Sequence, residues 1–254
     1  MPVELTLDVQ QRGAVRVHAV PSFAPLGVDA FFTDRSGGVS EGPYASLNLA
    51  LHVGDDEHDV LENRQRVAGA IGATIDSLLF VNQVHGDRVF DASTSNGNVD
   101  ADADALFCST PHVALAILVA DCVPILLADD HHVAVVHAGW RGLRSSVISN
   151  AVGKFTGSRN IHALLGPSIS RDHYEVGPEV ADLFRHVPNA IINGSGDRSF
   201  LDLRGVAAHQ LLALGLNDAN VAIAAASTDS GVTFFSDRAF RPCGRFALVA
   251  KRSS

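Results

Sequence analysis

Ala120-Asp121-Cys122-Val123-Pro124-Ile125-Leu126-Leu127-Ala128, then Asp129-Asp130-His131-His132, then Val133-Ala134-Val135-Val136-His137-Ala138-Gly139-Trp140-Arg141-Gly142, is the stretch on which the reading of this chain turns. Residues 125–128 and 133–136 are short runs rich in Val, Ile and Leu, separated by a polar patch, and they read as two buried strands. Cys122 then precedes one strand and His137 ends the next. At strand ends, a soft sulfur ligand and an imidazole can face one pocket without entering the core.

Outward from this centre, the expected strands are 4–9, 15–20, 30–33, 78–81, 161–165, 221–226, 233–236 and 246–250. A helix is expected from Asp59, its N-cap, with Val60, Leu61, Val67, Ala68 and Ile71 on one face. Leu143, Val147, Ile148, Ala151, Val152 and Phe155 recur at helical spacing and predict one amphipathic helix closed by Gly157. Pro178 suits the first position of a helix running to Arg185, and Asp202 caps another over 203–214, ended by Gly215. Residues 91–104 are polar and acidic and read as a long loop. They lack the spacing of a calcium loop. No repeat or linker divides the chain. Strands and helices alternate only loosely, which favours one domain with mixed sheets over a regular doubly wound fold.

Composition narrows the function classes. At 254 residues the chain has ample length for a core. Its net charge of −9 is spread without a basic block, so no nucleic-acid partner is expected. The apolar run 113–120 falls far short of the ~20 residues of a membrane span, so no membrane is expected either. Residues 1–9 carry Glu4 and Asp8 and show no charged-then-apolar leader. Three cysteines without paired spacing argue against a disulfide framework. The expectation is a cytoplasmic protein.

Cys122, His137 and His85 make a candidate ligand set. One thiolate and two imidazoles suit zinc, and three protein ligands leave a fourth tetrahedral position for water or substrate. The rival reading takes Cys122 as a nucleophile with His137 as its base. Asp121, Glu175 and His173 are candidates for a general acid or base. Cys108 reads as a small buried residue and Cys243 as a loop thiol.

Motifs along nearly the whole chain decide more. They include Arg35-Ser36-Gly37-Gly38-Val39-Ser40, Ser46-Leu47-Asn48-Leu49, His52-Val53-Gly54-Asp55, Asn63-Arg64 and Asn82-Gln83-Val84-His85-Gly86. Further on come Ala103-Asp104-Ala105-Leu106, the central stretch, Leu165-Gly166-Pro167, Tyr174-Glu175-Val176-Gly177, Phe234-Phe235-Ser236 and Gly244-Arg245. In these the chain resembles the YfiH-like, or laccase-domain (polyphenol-oxidase-like), family of purine nucleoside phosphorylases. The resemblance implies an α+β fold: a single domain over 1–254, with mixed β-sheets layered with helices as an α/β/β/α-type sandwich. It implies a zinc ion on His85, Cys122 and His137, which are thereby the catalytic residues, with copper as the alternative ion. It implies phosphorolysis of adenosine, inosine and methylthioadenosine, with adenosine deamination alongside. Purine nucleosides and phosphate are the implied partners, with Arg35, Asn48, Arg141 and Arg245 as substrate-binding candidates and a monomer or weak homo-oligomer expected. Ser227 and Asp237 depart from the family pattern, where a Cys and an aromatic residue are common. Two other readings remain at this stage: a copper polyphenol oxidase, against which stands the absence of His-x-His pairs, and a Cys122 hydrolase or peptidoglycan-editing factor.

Overall fold

A computed structural model describes residues 2–95, 99–111 and 113–253. Two mixed sheets lie face to face. The larger runs, edge to edge, Val3–Leu5, Val221–Ala224, His162–Leu165, Val123–Ala128, Val133–Ala138, Ala105–Cys108 and Val89–Asp91. The smaller runs Asp8–Arg12, Val15–Ala19, Val28–Thr33, Phe246–Arg252, Ala114–Val119 and Leu78–Leu79. A short ribbon of Glu175–Val176, Ser199–Leu201 and Ile191–Asn193 stands beside them.

The two runs of the central stretch pair antiparallel, with His137 opposite Pro124 and Ala138 opposite Val123. Successive side chains of a strand point to opposite faces, and here both faces are apolar. Leu126, Val133, Val135 and Leu164 meet Phe32, Leu115, Ile117 and Leu248 of the smaller sheet. Ile125, Leu127, Ala134 and Val136 turn the other way, onto Leu143, Val147 and Ile148 and onto Leu203, Val206 and Leu211 of the helix Leu203–Ala213. The outer face of the smaller sheet, with Val17, Phe31, Ala116 and Val249, packs on Val67, Ala68 and Ile71 at the helix Glu57–Ala70. The result is the layered helix/sheet/sheet/helix arrangement expected of a single mixed domain.

Several local expectations are corrected. Asp56, not Asp59, caps the first helix, accepting a hydrogen bond from His58 N at 2.8 Å. The single helix expected over 143–155 is two, Trp140–Arg144 and Val147–Val152. Ser146 sits between them at φ 78, a left-handed turn that helical periodicity cannot register. The helix from Pro178 ends at Ala181. Residues 233–236 form no strand: Phe234 and Phe235 are buried, but the backbone meets a loop instead, with Thr233 O accepting from Arg35 N. Residues 96–98 of the expected acidic loop lie outside the described residues. Among the described residues, no helix is long and apolar enough to cross a membrane.

Candidate metal centre

The strand pairing brings the carboxyl end of Val133–Ala138 beside the amino end of Val123–Ala128, and so places His137 near Cys122. His85 arrives from the loop after Leu78–Leu79. That loop is fastened by Gln83, whose amide mimics a strand partner: Nε2 donates to Leu118 O at 2.8 Å, and Oε1 accepts from Leu118 N at 2.7 Å. The ligand atoms of His85, Cys122 and His137 all lie within 4.8 Å of one another, with Sγ 4.0 Å from His85 Nε2. The two imidazole rings stand nearly perpendicular, centroids 4.8 Å apart. Among the described residues this is the one such group of three or more His, Cys, Asp or Glu side chains.

Asp104 organises the centre, and sequence reasoning missed it. It is fully buried. Its carboxylate accepts from His137 Nδ1 at 2.8 Å, from His85 N at 3.0 Å, from Gly86 N at 2.6 Å and from Val84 N at 3.2 Å. Its own carbonyl accepts from His137 N at 2.8 Å. One side chain therefore fixes the loop that carries His85 and the ring orientation of His137, leaving His137 Nε2 for the centre. In the sequence it stood within the motif Ala103-Asp104-Ala105-Leu106, with no role assigned to it.

Two site residues hold uncommon backbone conformations, His85 at φ 59 and Asp121 at φ 85. Asp104 secures the first. The second is secured by its own carboxylate, which accepts from Thr228 Oγ1 at 2.6 Å and from Arg238 N at 2.7 Å.

The electrostatics favour the metal-ready thiolate. Burial alone would raise the Cys122 thiol, but the positive charge of His137 and hydrogen bonds from His137 and His85 outweigh it and hold it at about 6. Burial alone would lower His137, but the Cys122 thiolate and Asp104 push it up to about 9. The two shifts are one fact: a half-buried thiolate beside a buried imidazolium, each stabilising the other's charge. His85, Cys122 and His137 would hold a divalent ion, which would displace that shared proton; one sulfur and two nitrogens are a donor set that fits zinc.

Gly139 makes room for the set. A Cβ there would sit 2.8 Å from Cys122 Sγ and 3.2 Å from His85 Cδ2. Its backbone is ordinary, φ −79 and ψ 172, so the constraint is space alone. Gly139→Ala is expected to fold but to retain less than stoichiometric zinc after dialysis, as read by metal analysis beside circular dichroism.

The centre opens on a cavity of about 390 Å³. Four arginines line it, Arg141, Arg238, Arg241 and Arg245, with His52, Trp140 and Tyr174. Asp237 pairs with both Arg241 and Arg245. Arg141 stacks on Trp140 at 4.3 Å and Arg238 on Tyr174 at 5.0 Å. Burial, together with the charges of Cys122 and Asp121, pushes the Tyr174 phenol up to about 12, so it stays a neutral donor.

The chain resembles known proteins along most of its length. A family model described as multi-copper polyphenol oxidoreductase laccase matches residues 29–253. The chain belongs to this family. Among its relatives, a purine nucleoside phosphorylase of Corynebacterium glutamicum is 39% identical over 194 residues, 73% of this chain and 79% of that protein. The purine nucleoside phosphorylase YfiH of Escherichia coli K12 is 37% identical over 229 residues, 88% of this chain and 93% of that protein. The crystal structure of YlmD from Geobacillus stearothermophilus superposes with a TM-score of 0.89 at 30% identity, covering 98% of this chain and all of that one.

Of the substrate-binding candidates in this laccase-family chain, the structure brings Arg141 and Arg245 to the cavity and sends two elsewhere. Arg35 donates to Ala45 O at 2.8 Å and Gly231 O at 2.6 Å, and stacks on Phe235, facing a separate hollow. Asn48 is fully buried, and both ends of its amide are satisfied inside the protein. A glycine-flanked Arg and an Asn between leucines look like ligand loops in sequence, but here each cross-links backbone. Of the acid–base candidates, Asp121 reaches the cavity wall, whereas His173 faces Ser170 and Asp229, and Glu175 faces Arg198. Arg238, Trp140, Tyr174 and His52 enter the site only through the fold. Cys108 and Cys243 are both buried and free, and burial pushes the Cys243 thiol up.

Proposed function

We propose that this chain is a zinc-dependent purine nucleoside phosphorylase, acting on adenosine, inosine and methylthioadenosine, that also deaminates adenosine. The observation that carries the reading is the juxtaposition: an S/N/N donor set facing a cavity whose other walls hold four arginines. The printed names of the relatives point to the same reaction class. His85, Cys122 and His137 hold the zinc, and the ion supplies a Lewis acid at the cavity floor. Asp104 keeps His137 Nδ1 protonated and its Nε2 directed at the centre. The planar guanidinium groups suit phosphate oxygens, which they can grip through two N–H bonds at once. Trp140 and Tyr174 offer aromatic faces to a purine. Asp121 contributes indirectly, setting the backbone of Arg238.

The direct test supplies each nucleoside to protein of measured zinc content, with and without phosphate. Free base and a ribose-1-phosphate ester should form only with phosphate, and inosine should form from adenosine without it. Absence of all these products in zinc-replete protein overturns the reading.

A second reading has its own observation. The Cys122 thiolate beside a protonated His137 is also the arrangement of cysteine nucleophiles. It requires a covalent Cys122 adduct and turnover in chelator-treated protein, conditions under which phosphorolysis should stop. The oxidase chemistry in the family description needs several copper sites. Among the described residues a single donor group is present.

A further inference from the structure

Tyr174 lines the cavity with a ring that is held and a hydroxyl that is free. Its backbone is tied on both sides: Tyr174 N donates to Arg171 O at 3.1 Å, and Tyr174 O accepts from Leu201 N at 3.0 Å. The half-buried ring packs on the apolar cluster that contains Leu201 and Leu203. It carries the Arg238 guanidinium, 5.0 Å from its centroid. Arg238 is fixed in turn, its N donating to Asp121 Oδ2 at 2.7 Å and its Nη1 to Glu175 O at 3.1 Å.

The hydroxyl is what remains. The chain's other tyrosine, Tyr44, spends its hydroxyl on Val53 O at 2.7 Å. Among the described residues the Tyr174 hydroxyl has no such partner. Among the described residues that line the cavity, none is a serine or threonine, so Tyr174 supplies its one side-chain hydroxyl. The other polar groups there are committed. Gln83 is bonded at both ends to Leu118, and Asp121 to Thr228 and Arg238. Asp237 pairs with Arg241 and Arg245. Guanidinium groups do not give up protons in a protein. With His85, Cys122 and His137 assigned to the metal centre, Tyr174 and His52 are the side chains left with a transferable proton. Tyr174 packs on the same apolar cluster as Trp140, the wall given to the purine. His52 comes from the loop that Asn48 ties to Arg245.

We propose that the Tyr174 hydroxyl is the proton donor to the purine as it departs in phosphorolysis, an inference that rests on that reading of the reaction. In this step the C1′–N9 bond breaks and its electron pair stays with the purine. A phosphate oxygen forms the new C1′–O bond. The Tyr174 O–H passes its proton to a purine nitrogen, and the phenolate left behind regains one from water. A phenol carries its proton at neutral pH even at the ordinary value of about 10, so the donor is loaded before each turnover. The Arg238 guanidinium on the ring offsets the negative charge that develops on the oxygen.

The test compares wild type with Tyr174→Phe, which keeps the ring, its packing and its stack with Arg238 and removes only the hydroxyl. Both proteins, at matched zinc content, receive saturating phosphate and either inosine or 7-methylinosine. The base of 7-methylinosine already carries a positive charge and departs neutral, so it needs no donor. Tyr174→Phe should lower kcat for inosine about a hundredfold, the low end of general-acid contributions, with KM for phosphate and kcat for 7-methylinosine nearly unchanged. His52→Gln should show no such split between the two nucleosides. An equal loss on both nucleosides in Tyr174→Phe overturns the inference, as does the split appearing in His52→Gln instead. Zinc-replete wild type that cleaves neither nucleoside overturns the phosphorolysis reading and this inference with it, and the wild-type arm alone reveals that result.

Discussion

Cys122→Ala is expected to fold normally, to bind no stoichiometric zinc and to lose phosphorolysis by about a thousandfold. The magnitude follows from the Lewis-acid contribution, several kcal/mol of transition-state stabilisation at one decade per ~1.4 kcal/mol. The fold should survive because Cys122 lies just before the strand Val123–Ala128 and holds no backbone hydrogen bond in place through its sulfur. Losing the thiolate also withdraws the largest influence holding His137 protonated, so that imidazole should become neutral at a lower pH. Metal analysis, thermal melting and initial rates on one preparation settle the point. A Cys122→Ala protein with full zinc and near-normal rate removes the sulfur from the centre. Loss of folding together with loss of zinc would instead make the residue a structural one.

Asp104→Ala is expected to do more damage than any single ligand change, because it affects both metal and fold. The substitution leaves the buried His137 Nδ1 and the N–H groups of Val84, His85 and Gly86 without their acceptor. Breaking a buried charge pair of this kind costs about 3–5 kcal/mol. Asp104→Asn keeps the shape and part of the bonding, so it should fold better while weakening zinc affinity about 10–100-fold. The pH dependence carries a sign. Burial alone would raise the Asp104 carboxyl, but hydrogen bonds and charge from His137, with the amides of Gly86 and Val84, hold it below the usual carboxylate range. The folded protein therefore binds this proton less readily than the unfolded chain. Its contribution is present above the unfolded carboxyl value of about 3.9 and disappears as pH falls through the folded value. Urea unfolding of wild type and Asp104→Asn across the acidic range should show the wild-type advantage shrinking as pH drops. An advantage that grows with acidity contradicts the role given to Asp104.

The three clustered side chains were legible as candidates because each sits in a conspicuous local context: Cys122 before an apolar run, His137 at the end of another, His85 after a third. The apolar runs around residues 125–128 and 133–136 made buried strands legible. The layered architecture came from the family resemblance. Helix breaks were not legible, since Leu143 to Phe155 keep their periodicity straight through the left-handed Ser146. Nor were the hydrogen-bond partners of Arg35 and Asn48. A polar side chain in a glycine-rich or leucine-flanked loop reads the same whether it grips a ligand or a distant carbonyl, and only the partner 10 to 197 residues away tells the two apart.

From its sequence alone, then, this protein read as a chain of buried strands in mixed sheets with one Cys/His/His candidate centre, because apolar period and residue type are properties of neighbours along the chain; the α+β fold and the laccase-type family came from the resemblance of its motifs. Only the tertiary structure brought Asp104 to His85 and His137, Gly139 to the sulfur, and Arg238 onto the ring of Tyr174. Those contacts depend on sheet register and on hydrogen bonds closed between remote segments. No local pattern encodes them, since their energy exists only once the two ends have met.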